Sequence, residues 1–325
     1  MELTREMWNQ ALQLNQEVRE SKKQLHYTDL KKQLGLSTHL AKCLLYAIKY
    51  RSIIIPKGIE ILGDRPFKRI LFAGDTQCGH IAGLTPPSYQ LNEDHPHLGS
   101  FAKFQKETWL WFYNETEKLK PFDIGIWNGD LIDGKGVKSG GTEQLTTDRN
   151  IQADMASEII WKVGAKKNVL TYGTSYHTGQ EEDFEKKIAD TVGAEAIKSE
   201  LNLDINGVIL NVKHHATSSQ SPYGQGTPLL KDQLYQMLRA EQEERPKADI
   251  VVRSHAHEYL ETKNRNGIAI MLPALQGSMT KYGERRCIRI VDFGFAYVDI
   301  YPGREFEVHT KMMVPRSQIN EVIKL

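Results

Sequence analysis

The sequence predicts an α+β protein in two parts, a small helical module over residues 1–66 and a sheet-containing domain over 67–325. Three observations carry this expectation. From Phe67 onward, short apolar runs of β character alternate with longer amphipathic segments. Five of those runs lead within a residue or two into Asp, His, Gln or Thr. Before Phe67 the apolar spacing is helical and the charge is basic: residues 1–66 hold 11 Lys+Arg against 7 Asp+Glu, and the remainder holds 31 against 34.

Taken in order, residues 3–24 place Leu3, Met7, Trp8, Leu12, Leu14 and Val18 in a stretch without Pro or Gly and read as an amphipathic helix. Tyr27 to Leu45 reads as a short helix capped at Thr28 or Asp29, a turn at Gly35, and a second helix capped at Ser37 or Thr38. That pair resembles a helix-turn-helix, although glycine-turned helix pairs also pack without touching DNA. Residues 22–51 carry seven Lys/Arg and one acidic residue, which favours nucleic acid as a partner for residues 22–62. Ser52 to Leu62 reads as strand, turn and strand, the shape of a wing in a winged-helix module, and Gly63-Asp64-Arg65-Pro66 as a linker.

In the larger domain, strands are expected at 68–74, 122–127, 168–172, 208–213 and 249–253, and helices at 101–119, 148–163, 181–199 and 228–244. Residues 81–100, rich in Gly, Pro, Asn and His, form a long loop, and a glycine loop follows Asp133. The whole chain, 325 residues with 40% hydrophobic and 26% charged side chains, has 42 basic against 41 acidic groups, so no strong global field directs it to a polyanion or a membrane. Cys43, Cys78 and Cys287 are odd in number and widely spaced, which fits a reducing compartment. The opening residues lack an apolar signal core and no run approaches membrane-spanning length, so a cytoplasmic location is expected.

The chemistry gathers at strand ends. Alternate side chains of an extended segment point the same way, so His255 and His257 after the 249–253 strand can present both imidazoles to one side. An isolated His-x-His is more often a pair of surface loop residues. Here it has company: Asp75 and Gln77 follow the first strand, Asp130 the second, and His214-His215 the fourth. Loops at the carboxyl ends of strands converge, so these residues form a mixed oxygen and nitrogen donor set with a carboxylate able to bridge two cations.

The order Gly-Asp75-x-Gln77, Asn128-Gly129-Asp130-x-x-Asp133, Gly173-Thr174-x-x-His177, His214-His215 and Ser254-His255-Ala256-His257 resembles the calcineurin-like metallophosphoesterases, whose motifs run D-x-H, G-D-x-x-D, G-N-H, H and G-H-x-H. The likeness spans residues 67 to about 300. It implies a four-layer α/β/β/α sandwich, two divalent ions and phosphoester hydrolysis. By the same resemblance Asp75 and His257 would hold the first ion, His255 and one of His214 or His215 the second, and Asp130 both. The strand pattern favours His214, with His215 left open. Asp133 would orient neighbours rather than bind metal.

Two departures matter. Gln77 stands where the family has His, and an amide oxygen suits hard ions, so Mn²⁺ is expected first, ahead of Mg²⁺, Fe or Zn²⁺. The family's Asn ligand is replaced by Thr174, and its general-acid His arrives two residues late as His177. Thr174 would contribute a hydroxyl or leave the place to water, and His177 would protonate the leaving oxygen or become a ligand itself, with the acid role favoured. Arg253 and Lys213 are candidates to meet phosphate charge, His80 to lie near the metals, and Cys78 to be a small buried filler; His95 and His97 read as loop residues. Residues 278–325 add Cys287–Val291 and Phe295–Ile300 as strands expected to complete the second sheet. The functional expectation is a metal-dependent phosphodiesterase or nuclease. The alternatives are a phosphomonoesterase or phosphoprotein phosphatase, and a DNA-binding or scaffold protein with a decayed metal site.

Overall fold

Alternation along the strands builds the larger domain. In β3 (Lys68–Ala73), Ile70 and Phe72 face one way and Leu71 and Ala73 the other, and all four are fully buried, so both faces of the strand are covered. The computed structural model of the chain describes residues 67–316 apart from 96–97, 179–182, 217–218, 220, 279 and 281–290. In the amino-terminal part it describes residues 3–4, 10–11, 13–14, 17, 25–38, 41–42, 44–45 and 61–62. The chain divides into two compact units, Met1–Pro66 and Phe67–Leu325.

In the first unit, α1 (Tyr27–Leu34) ends at Gly35 with φ of 64°, and Leu30, Leu36, Ala41 and Leu44 pack with Ala11, Leu14 and Leu25 into one small core. Residues 38, 41–42 and 44–45 are helical, and Ser37 O accepts the amide of Ala41 at 2.9 Å, as at the start of a second helix. Two expectations change. The cap of α1 is His26, one turn earlier than Asp29, whose carboxylate reaches back to the His26 amide at 2.9 Å. Leu3–Thr4 is not helical but β1, paired in parallel with β2 (Ile61–Leu62). The expected wing and the linker at 63–66 fall almost wholly outside the described residues.

The second unit holds two sheets. The larger has the order β13-β12-β3-β4-β5-β6, with β4 (Ile124–Asn128), β5 (Lys167–Thr171) and β6 (Ala196–Lys198) parallel to β3, and with β12 (Phe293–Ile300) and β13 (Phe306–Met313) forming an antiparallel hairpin on β3. The smaller has the order β10-β11-β9-β8-β7, in which β8 (Val208–Lys213), β9 (Ile250–Arg253) and β11 (Gly267–Met271) are parallel, flanked by antiparallel β7 (Glu200–Ile205) and β10 (Leu260–Asn264).

One apolar cluster joins the inner faces of the two sheets: Ile70, Phe72, Ile126, Val169 and Val298 from the larger meet Leu210, Val212, Ile250, Val252 and Ile270 from the smaller. Each such side chain contributes about 1.5–3 kcal/mol through burial. The outer face of the larger sheet, with Leu71, Trp127 and Leu170, is covered by α2 (Gly99–Leu119), α3 (Arg149–Val163) and α5 (Phe184–Thr191); α4 (Ser175–Thr178) is a single turn between β5 and α5. Leu229 of α6 (Thr227–Glu241) covers Val251, Ala269 and Met271 on the far side of the smaller sheet. The layers are therefore α/β/β/α. No helix among the described residues is long and apolar enough to cross a membrane.

The helix expected over 181–199 ends at Thr191. Gly193 takes φ of 65°, turning the chain so that residues 196–198 pair with β5 instead. The strand at Phe293–Ile300 completes the first sheet, not the second, because it pairs with β3. The expected strand 287–291 lies outside the described residues except for Val291, which is not in a strand.

Candidate metal centre

β3, β4 and β5 of one sheet and β8 and β9 of the other present their carboxyl ends together, and a single side chain ties four of those ends. Asn128, fully buried at the end of β4, donates from Nδ2 to Lys213 O at 3.2 Å and to Ser254 Oγ at 2.7 Å, and its Oδ1 accepts from Thr171 Oγ1 at 2.7 Å. Backbone bonds add to this: Asp75 N donates to Gly129 O, Gln77 N to Asp130 O, and Ser254 N to His214 O, at 2.9–3.2 Å.

The strand ends turn in a strained way. Eight non-glycine residues have positive φ among the described residues, and five of them are Asp75 (50°), Gln77 (46°), Asp130 (51°), His255 (75°) and His257 (57°). Left-handed backbone costs a non-glycine residue about 1–3 kcal/mol, so its concentration on the expected donors marks a place where side-chain direction outweighs local comfort.

Those side chains meet. His257 Nε2 lies 3.2 Å from Asp75 Oδ1, His214 Nε2 3.0 Å from Asp130 Oδ2 and 4.0 Å from Asp75 Oδ1, and His255 Nδ1 3.9 Å from Asp130 Oδ2. Donor atoms of Asp130, His214 and His255 all lie within 4.8 Å of one another. Ligands sharing one cation at about 2.0–2.3 Å are about 3–3.5 Å apart, so the spacing fits with small adjustments. Three atoms here, Asp75 Oδ1, Gln77 Oε1 and His214 Nε2, are buried with no hydrogen-bond partner; the His214–Asp130 approach is close but lacks hydrogen-bond direction. Asp75 and Asp130 have no Lys or Arg partner among the described residues. Buried carboxylates are costly unless offset; here the neighbouring imidazoles offset them when protonated, and a divalent ion bound by the same atoms would take over that part.

Electrostatics agree. Burial pushes the Asp130 carboxyl up, but His214, His255 and His177 outweigh it and hold it well below the usual range. Burial pulls His214 down, yet Asp130 and Asp75 carry it up to about 10. Against the same opposition from burial, Asp75 raises His257. The pocket thus favours positive charge. His215, by contrast, is exposed and is lowered by burial of part of its ring and by the neighbouring His255. Of the two histidines, His214 enters the cluster; its Nδ1 is bonded to Asn128 O at 2.6 Å, which leaves Nε2 facing the carboxylates.

Two glycines make room. A Cβ on Gly129 (φ +74°) would meet the His214 ring at 2.6 Å, and one on Gly173 would meet Asp130 Oδ1 at 2.1 Å. Gly173→Ala is expected to displace the Asp130 carboxylate and weaken divalent-ion binding by about 10-fold or more, as loss of a group that orients a ligand does. Calorimetric titration with Mn²⁺ measures it, and an unchanged affinity would show that the loop gives way instead.

Thr174 fills a place next to Asp130: its amide donates to Oδ1 at 2.6 Å and its hydroxyl reaches both carboxylate oxygens at 3.1 and 3.2 Å. His177 Nδ1 is bonded to Asp133 O at 2.9 Å, and Nε2 lies 3.8 Å from Asp130 Oδ2. Asp133 itself accepts from Gln144 and lies 3.5 Å from the His177 ring, on the side away from the cluster. Arg253 is not brought to the site. It is 2% exposed and bonded to Asp232, Asn211 and Val252 O, because alternation along β9 turns it to the outer face. His80 is buried against Ala82 N and Glu143, His95 accepts from Leu98 N in the long loop, and His97 lies outside the described residues. Cys78 is fully buried, and burial pushes its thiol up to about 12, so it is an inert filler.

Two contributors escape a sequence reading. Asn128 sits inside a recognised motif without an assigned part. Glu185 lies in an acidic run, yet its spacing to Ile188 and Ala189 puts it on the buried face of α5. Its carboxylate accepts from Leu131 N at 3.2 Å and Gly173 N at 2.6 Å, the residues following Asp130 and preceding Thr174.

Sandwich, strand-end donors and motif order together resemble the calcineurin-like metallophosphoesterase pattern. No sequence-family profile matches the chain, and no curated protein matches it in sequence. Among solved structures, an archaeal phosphodiesterase is similar at 13% identity and a TM-score of 0.38, over 75% of this chain and 99% of that one. Vps29 from Entamoeba histolytica complexed with Zn²⁺ is similar at 10% identity and 0.36, over 75% and 98%. A predicted phosphoesterase from Streptococcus pneumoniae is similar at 10% and 0.33, over 75% and 98%. At that superposition these likenesses carry nothing about chemistry or substrate; the layers and donor positions stand on this chain's own strands and side chains.

Proposed function

We propose that the chain is a divalent-metal-dependent phosphoester hydrolase. One observation carries the reading: three buried donor atoms from the ends of two strands in different sheets, Asp75 Oδ1 and Gln77 Oε1 after β3 and His214 Nε2 after β8, lack hydrogen-bond partners around a carboxylate, Asp130, held ionised. Asp75, Gln77 and His257 would hold one cation and His214 and His255 another, with Asp130 shared between them, and Mn²⁺ is the ion the mixed donors suit best. Divalent ions held by these residues would supply water acidification and neutralisation of phosphoryl charge.

The chain's own residues do the rest. Thr174 holds one Asp130 oxygen by its amide, so the other faces the histidines. The Asp133 carbonyl fixes His177 through Nδ1, and in the imidazolium form the Nε2–H, on the Asp130 side, would deliver a proton to the leaving ester oxygen. Asn128 keeps the two sheet edges, and hence both halves of the donor set, at a constant separation.

The finer reading is a nucleic-acid phosphodiester as substrate, supported by seven Lys/Arg against one acidic residue over 22–51. Parallel assays with Mn²⁺ on single- and double-stranded DNA and RNA, a small phosphomonoester and a phosphoprotein test it. Cleavage of nucleic acid is expected. Turnover of the monoester or phosphoprotein alone would replace it with a phosphatase, and protein that binds no divalent ion would replace both with a scaffold.

A further inference from the structure

The loop after the Asp130 motif combines freedom and constraint. Gly134, Gly136, Gly140 and Gly141 all have positive φ, and between Gly134 and Thr142 there are two lysines, Lys135 and Lys138, and no acidic residue. A backbone this rich in glycine does not by itself fix a side chain in space. This one is pinned at two points. Gln152 of α3 accepts the Gly134 amide and donates to the Gly134 carbonyl, both at 2.8 Å. Tyr176 takes hold further along: its hydroxyl accepts the Lys138 amide at 3.0 Å, and the Lys138 ammonium lies over its ring at 4.3 Å.

Lys138 is thus held at both ends, by backbone and by ammonium, through one aromatic side chain. That ring leads to the metal centre. Tyr176 packs edge-on against His177 with centroids 4.8 Å apart, and His177 Nε2 lies 3.8 Å from Asp130 Oδ2. Lys135 and Lys138 are exposed, and neither has a carboxylate partner among the described residues. Arg253, two residues before His255, is committed elsewhere. An ammonium held over an aromatic ring with no carboxylate partner among the described residues, one aromatic contact beyond the proposed proton donor, is placed for an anion that the substrate brings.

We infer that Lys138, positioned by Tyr176, binds the phosphate next to the one being hydrolysed, so that the substrate is a nucleic-acid strand carrying successive phosphodiesters. The inference rests on the hydrolase reading and deepens it. A lysine offers a point charge to phosphate and reads no base, so the subsite selects for a polyanionic strand without selecting its sequence.

The test compares full-length wild type, Lys138→Ala, Lys138→Arg and Tyr176→Phe in Mn²⁺ on a single-stranded oligonucleotide and on bis(p-nitrophenyl) phosphate, which has no second phosphate. In Lys138→Ala the ratio of kcat/KM for the oligonucleotide to that for the small diester is expected to fall about tenfold, chiefly through KM, as loss of one charge-assisted contact implies. Lys138→Arg should stay within about twofold of wild type, since the charge is kept. The slope of log KM against log salt should drop by about 0.7 in Lys138→Ala. An unchanged ratio, or an equal fall on both substrates, overturns the subsite. Wild type that cleaves neither substrate would reject the hydrolase reading instead. Binding then decides the subsite, through anisotropy of a labelled oligothymidylate with Mn²⁺: an affinity and salt slope unaltered by Lys138→Ala overturn it. Turnover of a phosphoprotein by a chain that does not bind the oligonucleotide overturns it as well.

Discussion

In an Asp130→Asn variant, bound Mn²⁺ is expected to fall to one equivalent or none, and phosphoester turnover by at least about 1000-fold, the several kcal/mol that metal charge stabilisation supplies. The substitution keeps the volume and the acceptor for the Thr174 amide, which donates at 2.6 Å. It removes the one negative charge that faces His214, His177 and His255 together, at 3.0, 3.8 and 3.9 Å. Elemental analysis of the purified protein and calorimetric titration read the first effect, and steady-state assays the second. Retention of two ions would show that Asp130 is not shared. Circular dichroism separates site loss from unfolding, since Asn128 and the apolar cluster between the sheets are untouched.

Glu185 governs the second large effect. Removing its side chain in Glu185→Ala leaves the buried amides of Leu131 and Gly173 without acceptors, at a cost of about 1–3 kcal/mol each. Its charge has a separate signature. Burial first, and then Asp130, push its carboxyl up to about 8, far above the ordinary glutamate value. A carboxyl with a folded value above its unfolded one binds its proton more tightly when folded. Its stabilising contribution is complete below about pH 4.5 and is lost as pH rises through about 8, at up to about 1.4 kcal/mol per pH unit. Urea melts in a chelator at pH 5, 6.5 and 8 should therefore show wild type losing more stability with rising pH than Glu185→Gln. Parallel profiles would mean that Glu185 stays ionised. His214, also raised, contributes a falling slope to both proteins, so the difference between them isolates Glu185.

Local pattern made much of this chain legible. Strand β8 was readable to its last residue from apolar and β-branched composition, and the polar residues placed just past β3, β4, β8 and β9 announced a shared site because carboxyl ends of strands converge. The turn at Gly35 was readable for the same reason, since a left-handed C-cap has a local chemical signature. Tertiary structure alone decided the rest. His214 rather than His215 turns inward because Asn128 O, 86 positions away in sequence, holds its Nδ1, and because Gly129 has no side chain to block the ring. Arg253 faces Asp232 and Asn211 on the outer side of its sheet, a direction set by the register of β9 against β8. The hairpin of β12 and β13 joins the first sheet, a matter of which edge is open. Glu185 reads as a solvated charge until the loops carrying Asp130 and Thr174 close over it. Periodicity and punctuation are properties of neighbouring residues, and so the sequence by itself determined most strands and helices of the larger unit and the kinds of side chain placed at the strand ends. Direction, pairing and protonation depend on groups that only folding brings together.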